Sequence, residues 1–292
     1  MPRISANHIE LDYQSFGPAD APAILLIMGL GAQLTRWNDE LCEALVARGY
    51  RVIRFDNRDC GLSTHFDDAP QPDIGAALRN GTPLKVPYTL DDMAADCIGL
   101  LDALGIERAH IVGASMGAAI AQLVAADYPE RTLSLTSMMS TSGNPSLPPP
   151  TPAAAIALFA PLPRQRDEES MVADGINRFL AVASPAYPTD GERLRRIFVA
   201  EYRRAFYPAG VGRQLAAVIA NGDRRPALGR IVAPTVVLHG AADPLIPPAC
   251  GEDVAAHIAG AELRLIEGMG HDFPLALTEV FAEAIAAAAR RA

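Results

Sequence analysis

Lysine is almost missing from this chain: Lys85 is the only one, and arginine supplies the rest of the 25 basic residues. With Ala, Gly and Pro all abundant, we read that skew as codon bias. The 34 acidic residues give a formal charge of -9, but neither sign gathers into a block. A charged tail is therefore absent, and nucleic acid is not an expected partner. No stretch approaches the roughly 20 apolar residues of a membrane span, so no membrane association is expected. Cysteine is also sparse. Cys42, Cys60, Cys97 and Cys250 show neither CxxC spacing nor the density of a secreted scaffold, and reduced thiols in a cytoplasmic protein are expected. Arg3 is followed by His8, Glu10 and Asp12 where a signal peptide would have its apolar core. HExxH and GxGxxG are missing, and His8, His65, His110 and His257 lack metal-ligand spacing. Neither metal nor cofactor is expected.

What is present is a chain of 292 residues, 50% hydrophobic, able to bury a large core unaided. Short apolar runs alternate with amphipathic stretches, as in βα units around a parallel sheet. Strands are expected at residues 23–28, 51–55, 109–113, 132–139, 235–238 and 261–266. Helices are expected at 38–48, from a Thr89/Asp92 capping box to about 104, from about 116, and at about 276–291. The proline-rich stretch 144–152 suits neither helix nor central strand and reads as a linker. Helical periodicity then continues to about Gly222, for example over 171–182 and 193–206. The expected organisation is a core of 1–143 and 223–292 with a helical cap insert over 144–222. Met171, Phe179, Phe198, Tyr202, Phe206 and Tyr207 fall at helical spacing in that insert and are expected in its core more than on a pocket wall.

Gly113-Ala-Ser115-Met-Gly117 matches G-x-S-x-G between an expected strand and an expected helix. A sharp turn there would hold Ser115 in strained geometry, and side chains at Gly113 and Gly117 would collide with the neighbouring strand and helix. A serine hydroxyl is a weak nucleophile, so a base and an orienting acid are required. Asp243 follows the strand at 235–238 and His271 the strand at 261–266, in the order Ser, Asp, His and at strand C-terminal ends. Asp272 adjoins the histidine and should point away from it, Glu267 belongs to a strand end, and no Asp or Glu occurs between Arg131 and Asp167. Asp243 is therefore the expected acid. The backbone N–H groups of Leu30, in Met28-Gly29-Leu30-Gly31, and of Met116 are the expected oxyanion donors. His239 ends a strand and reads as a satisfied packing residue.

With these motifs in order, the chain resembles the α/β-hydrolase family over nearly its whole length. Arg54-Phe-Asp-Asn-Arg-Asp-Cys-Gly-Leu-Ser63 adds a further family-like stretch. Met28-Gly29, Asp56-Asn-Arg58-Asp59, the serine motif and Gly268-Met-Gly-His271 together are similar to the aclacinomycin methylesterase group and related bacterial carboxylesterases. The resemblance implies a mostly parallel, doubly wound sheet with a helical cap and hydrolysis of a small, moderately apolar ester through an acyl-enzyme. Thioester cleavage, C–C hydrolysis and perhydrolysis use the same triad, and a non-catalytic receptor for a small ligand is the other alternative. Met28 departs from the family's usual histidine before the oxyanion glycine. The donors are backbone groups, so the departure bears on substrate and not on the chemistry.

Overall fold

The computed structural model describes residues 2–292, and among them eight strands form one sheet. They are β1 (Arg3–Ala6), β2 (Ile9–Phe16), β3 (Ala23–Ile27), β4 (Arg51–Phe55), β5 (Ala109–Ala114), β6 (Thr132–Met138), β7 (Thr235–Gly240) and β8 (Glu262–Ile266). Their spatial order is β1-β2-β4-β3-β5-β6-β7-β8. The β1–β2 and β2–β4 pairs are antiparallel and the remaining five are parallel. The chain leaves β3 for β4 on one side and then crosses to β5 on the other, so a topological switch point lies between the C-terminal ends of β3 and β5.

Successive side chains of a strand point to opposite faces, and the apolar runs therefore supply two cores. Ile24, Leu26, Val52 and Val112 pack on one side with Leu41 and Leu45 of α1 (Asp39–Val46). Leu25, Ile27, Ile53 and Ile111 pack on the other, which the next helices cover. α2 (Ile74–Asn80) lies in a long loop, α3 (Leu90–Ala103) starts from the Thr89/Asp92 capping box, and α4 (Met116–Asp127) is buried almost all round. A helix apolar on every side belongs in an interior.

Between β6 and β7 the chain builds α5 (Pro152–Phe159), α6 (Glu168–Leu180), α7 (Gly191–Arg204), α8 (Pro208–Asn221) and the single turn α9 (Arg225–Leu228). α10 (Pro248–His257) joins β7 to β8, and α11 (Thr278–Ala289) closes the chain against α1. Among the described residues no helix is long and apolar enough to cross a membrane.

The six expected strands and four expected helices are present within a few residues of their expected bounds. The N-terminal hairpin has no counterpart in the sequence reading. Asn7 and His8 both take positive φ, 47° and 65°, as a two-residue primed turn requires. The following strand buries Leu11 and Asp12 in succession, which breaks the period-2 pattern. α2, α9 and α10 were likewise not expected.

One polar residue of the central sheet makes stability depend on pH. His110 is buried in β5, with Nδ1 2.9 Å from Ser134 Oγ, and burial, aided by Arg108, pushes its imidazole down to about 4. The fold favours the neutral ring, so between pH 6.5 and about 4 the unfolded chain binds the extra proton. Stability therefore falls as pH falls through that window. Denaturant unfolding at pH 7 and at pH 4.5 should show the wild type losing about 2 kcal/mol more than His110→Asn. Equal losses would exclude the buried imidazole as a source of acid sensitivity.

Candidate active site

Ser115 is the one residue between β5 and α4, and its backbone sits at φ 55°, ψ -121°. For a non-glycine residue that conformation costs of order 1–3 kcal/mol. Its surroundings hold it there. The Ser115 N–H donates to Met138 O at 2.9 Å, and its carbonyl accepts from Ser140 Oγ at 2.9 Å and from Ala118 N at 3.0 Å. A Cβ at Gly113 would lie 2.2 Å from Gly117 O, and one at Gly117 only 2.1 Å from Ile27 O. Both positions admit nothing larger than hydrogen.

His271 lies on the loop after β8, and its Nδ1–H donates to Asp243 Oδ2 at 2.7 Å. Asp243 is buried on the loop after β7, where its Oδ1 accepts from the N–H groups of Leu245 and Ile246 at 2.9 Å each. Charge-assisted bonds of this kind fix the carboxylate, and with it the tautomer that leaves Nε2 free to accept a proton. Asp272 turns elsewhere: its Oδ1 accepts from the Ser184 N–H at 3.1 Å and from the Ser184 hydroxyl. Burial pushes the Asp272 carboxyl up from its ordinary range, opposed by the Ser184 bonds. Glu267 is exposed. His239 is only half satisfied, in contrast to the expectation. Its Nε2–H donates to Ile246 O at 2.8 Å, its Nδ1 has no partner, and burial pushes its imidazole below the ordinary range.

Ser115 and His271 share one cavity of about 550 Å³ with Leu30 and Met116. The loop carrying Leu30 is anchored on both sides. Asn57 Nδ2 donates to Met28 O at 2.8 Å, the Gly31 N–H donates to Gln214 Oε1 at 2.8 Å, and the Leu34 N–H donates to Asp56 Oδ1 at 2.7 Å. Asp56 meets Arg204 of α7 at 2.7 Å, and Asp59 meets Arg213 of α8 at 2.7 Å. Burial opposes ionisation of Asp59, but Arg213, the Phe66 N–H and the Tyr88 hydroxyl hold its carboxyl below the usual range. Of the six aromatic and methionine residues expected in the insert core, Phe179 does line the cavity. Among the described residues, no three His, Cys, Asp or Glu side chains gather as a metal-binding group.

A family model for the alpha/beta hydrolase fold matches residues 22–275. The chain belongs to that family. It is 33% identical to rhodomycin D methylesterase of Streptomyces peucetius over 99% of this chain and 98% of the relative. The crystal structure of the enol-lactonase from Burkholderia xenovorans superposes with a TM-score of 0.74 at 25% identity, covering 98% of this chain and 99% of the other. A meta-cleavage product hydrolase from Pseudomonas fluorescens shares the fold, with a TM-score of 0.77 at 21% identity over 100% and 98% of the two chains.

In this α/β hydrolase the structure brings His271 onto Asp243, and Leu30, Met116, Ser115 and His271 all line one cavity. Sequence reasoning missed the residues that hold these groups: Asn57, Ser140, Ser184 and Gln214. Asn57 lies within the family-like stretch 54–63 but nothing in that stretch marks its contact, and the other three are single polar residues with no pattern to mark them. The elbow yields a direct test. Gly117→Ala should destabilise the fold by about 3 kcal/mol in urea unfolding, because its methyl would meet backbone that cannot retreat. A loss under about 1 kcal/mol would mean that the strand-to-helix turn is looser than this packing implies.

Proposed function

We propose that this protein hydrolyses carboxylic esters through an acyl-enzyme, with Ser115 as nucleophile, His271 as general base and Asp243 as its orienting acid. The observation that carries the reading is the 2.7 Å bond between His271 and the buried Asp243, on a cavity that His271 shares with the strained Ser115. His271 Nε2 takes the hydroxyl proton as Ser115 Oγ attacks the carbonyl carbon. The carbonyl π electrons move to oxygen, where the Leu30 and Met116 N–H groups stabilise the charge. Collapse breaks the ester C–O bond, and His271 returns the proton to the leaving alcohol. Water then attacks the acyl-enzyme by the same route, releasing the acid and restoring Ser115.

Substrate scope follows from the walls. Met28, Leu158, Ile197, Leu215 and Val218 line the cavity, which suits a small, moderately apolar ester. The relatives described above, a methylesterase and an enol-lactonase, support an ester over an amide. We further propose that 144–222 acts as the cap over a core of 1–143 and 223–292, since α6, α7 and α8 supply Phe179, Ile197 and Leu215 to the cavity. Four buried free thiols support a reducing, cytoplasmic location.

A panel of chromogenic esters, with a thioester arm, tests the reading on wild type and Ser115→Ala together. The wild type should turn over short-chain oxygen esters and the variant none; a wild type inert on the whole panel would overturn the proposal. The acid is tested separately. Asp243→Asn should lower kcat by about three to four orders of magnitude, whereas Asp272→Asn, whose amide oxygen still accepts from Ser184, should cost less than about tenfold. The reverse ranking would reassign the acid to Asp272 and leave Ser115 and His271 in place.

A further inference from the structure

Between α6 and α7 the chain turns back towards the sheet and meets the loop that carries His271. The His271 N–H donates to Val182 O at 2.7 Å, and the Ala186 N–H donates to Gly268 O at 3.1 Å. Ser184 sits between these two bonds and is buried. Its hydroxyl accepts from the Gly270 N–H at 2.8 Å and donates to Asp272 Oδ1, which also accepts from the Ser184 N–H at 3.1 Å. One side chain therefore grips the residue immediately before His271 and the residue immediately after it. A Cβ at Gly270 would lie 2.5 Å from Val182 O, so the approach depends on glycine there.

The core holds His271 by its ring, through Asp243, and the insert holds it by its backbone. We infer that Ser184 is a positioning residue, which clasps residues 270–272 to the α6–α7 turn and thereby sets the His271 imidazole against Asp243 and Ser115. The inference rests on His271 being the base. It also gives Asp272 a role: its carboxylate is the acceptor half of the clasp and not a spare acid. The turn that carries Ser184 joins the helices that supply Phe179, Leu194 and Ile197 to the cavity. A substrate that fills the cavity would therefore touch the same two helices whose connecting turn holds residues 270–272.

Ser184→Ala removes both hydroxyl bonds and leaves the Ser184 N–H in place. It should lower kcat on a small activated ester about 30-fold with KM within about twofold, since a displaced catalytic group costs turnover more than binding. Ser184→Thr, which keeps the hydroxyl, should recover most of that loss. The His271 Nδ1–H, bonded to Asp243 at 2.7 Å, should give a strongly deshielded NMR proton without substrate, lost or broadened in Ser184→Ala and kept in Ser184→Thr. Asp272→Ala, which deletes the acceptor, should reproduce the Ser184→Ala result if that variant folds poorly. Folded variants with an unchanged Nδ1 resonance and unchanged kcat would overturn the clasp. So would a kcat loss shared equally by Ser184→Thr with the resonance intact, which would make Ser184 a packing residue only. The resonance needs no substrate, so it tests the clasp even if the wild type turns over no ester.

Discussion

Everything at this site depends on Ser115 being held at φ 55° where a strand becomes a helix. The conformation lifts the hydroxyl off the sheet into a cavity, and it survives because neighbouring backbone leaves no alternative. Gly113 and Gly117 bring β5, α4 and β3 together at distances that no side chain tolerates. The Ser115 peptide is bonded on both sides, to Met138 O and from Ser140 Oγ. A strain of about 1–3 kcal/mol is small against the apolar burial of α4, so the packing around Ser115 keeps the hydroxyl in one place.

The second constraint is the buried polar joint between insert and core. Arg204 meets Asp12 and Asp56, Arg213 meets Asp59, and Gln214 bridges Gly31 N and Arg58 O. Buried ion pairs add little net stability because desolvation offsets most of their attraction, but breaking one leaves an uncompensated charge at a cost of about 3–5 kcal/mol. Their effect is therefore orientation. They fix α7 and α8 over the loops after β3 and β4, and through Asp56 and Asn57 they fix the backbone around Leu30. The Leu30 loop, the His271 loop and the cavity wall are thus all tied to the same helical segment.

The parallel sheet and the residues proposed for catalysis were legible in the sequence because each leaves a local mark. Apolar runs mark the strands of the double-sided core, and paired glycines around a serine mark the elbow. Asp243 and His271 stood out by falling just past strand ends in the right order. The parts that were not legible depend on partners far away in the chain. Asp12 looks like a break in a strand until its partner Arg204 is seen 192 residues later. Ser184 and Gln214 are ordinary polar residues in helical or loop sequence, and their significance lies in contacts with Asp272 and Gly31 that no periodicity encodes.

The central claim is that the strained hydroxyl of Ser115 is an activated nucleophile, and covalent labelling addresses it without knowledge of the natural substrate. An organophosphonate ester incubated with the folded protein should add one phosphonyl group to Ser115, because attack at phosphorus gives a tetrahedral adduct that the Leu30 and Met116 N–H groups can hold. Intact-mass and peptide analysis should place that single adduct on Ser115 in the wild type and find none in Ser115→Ala. A folded wild-type protein that stays unlabelled, or one labelled elsewhere with Ser115 untouched, would contradict the account.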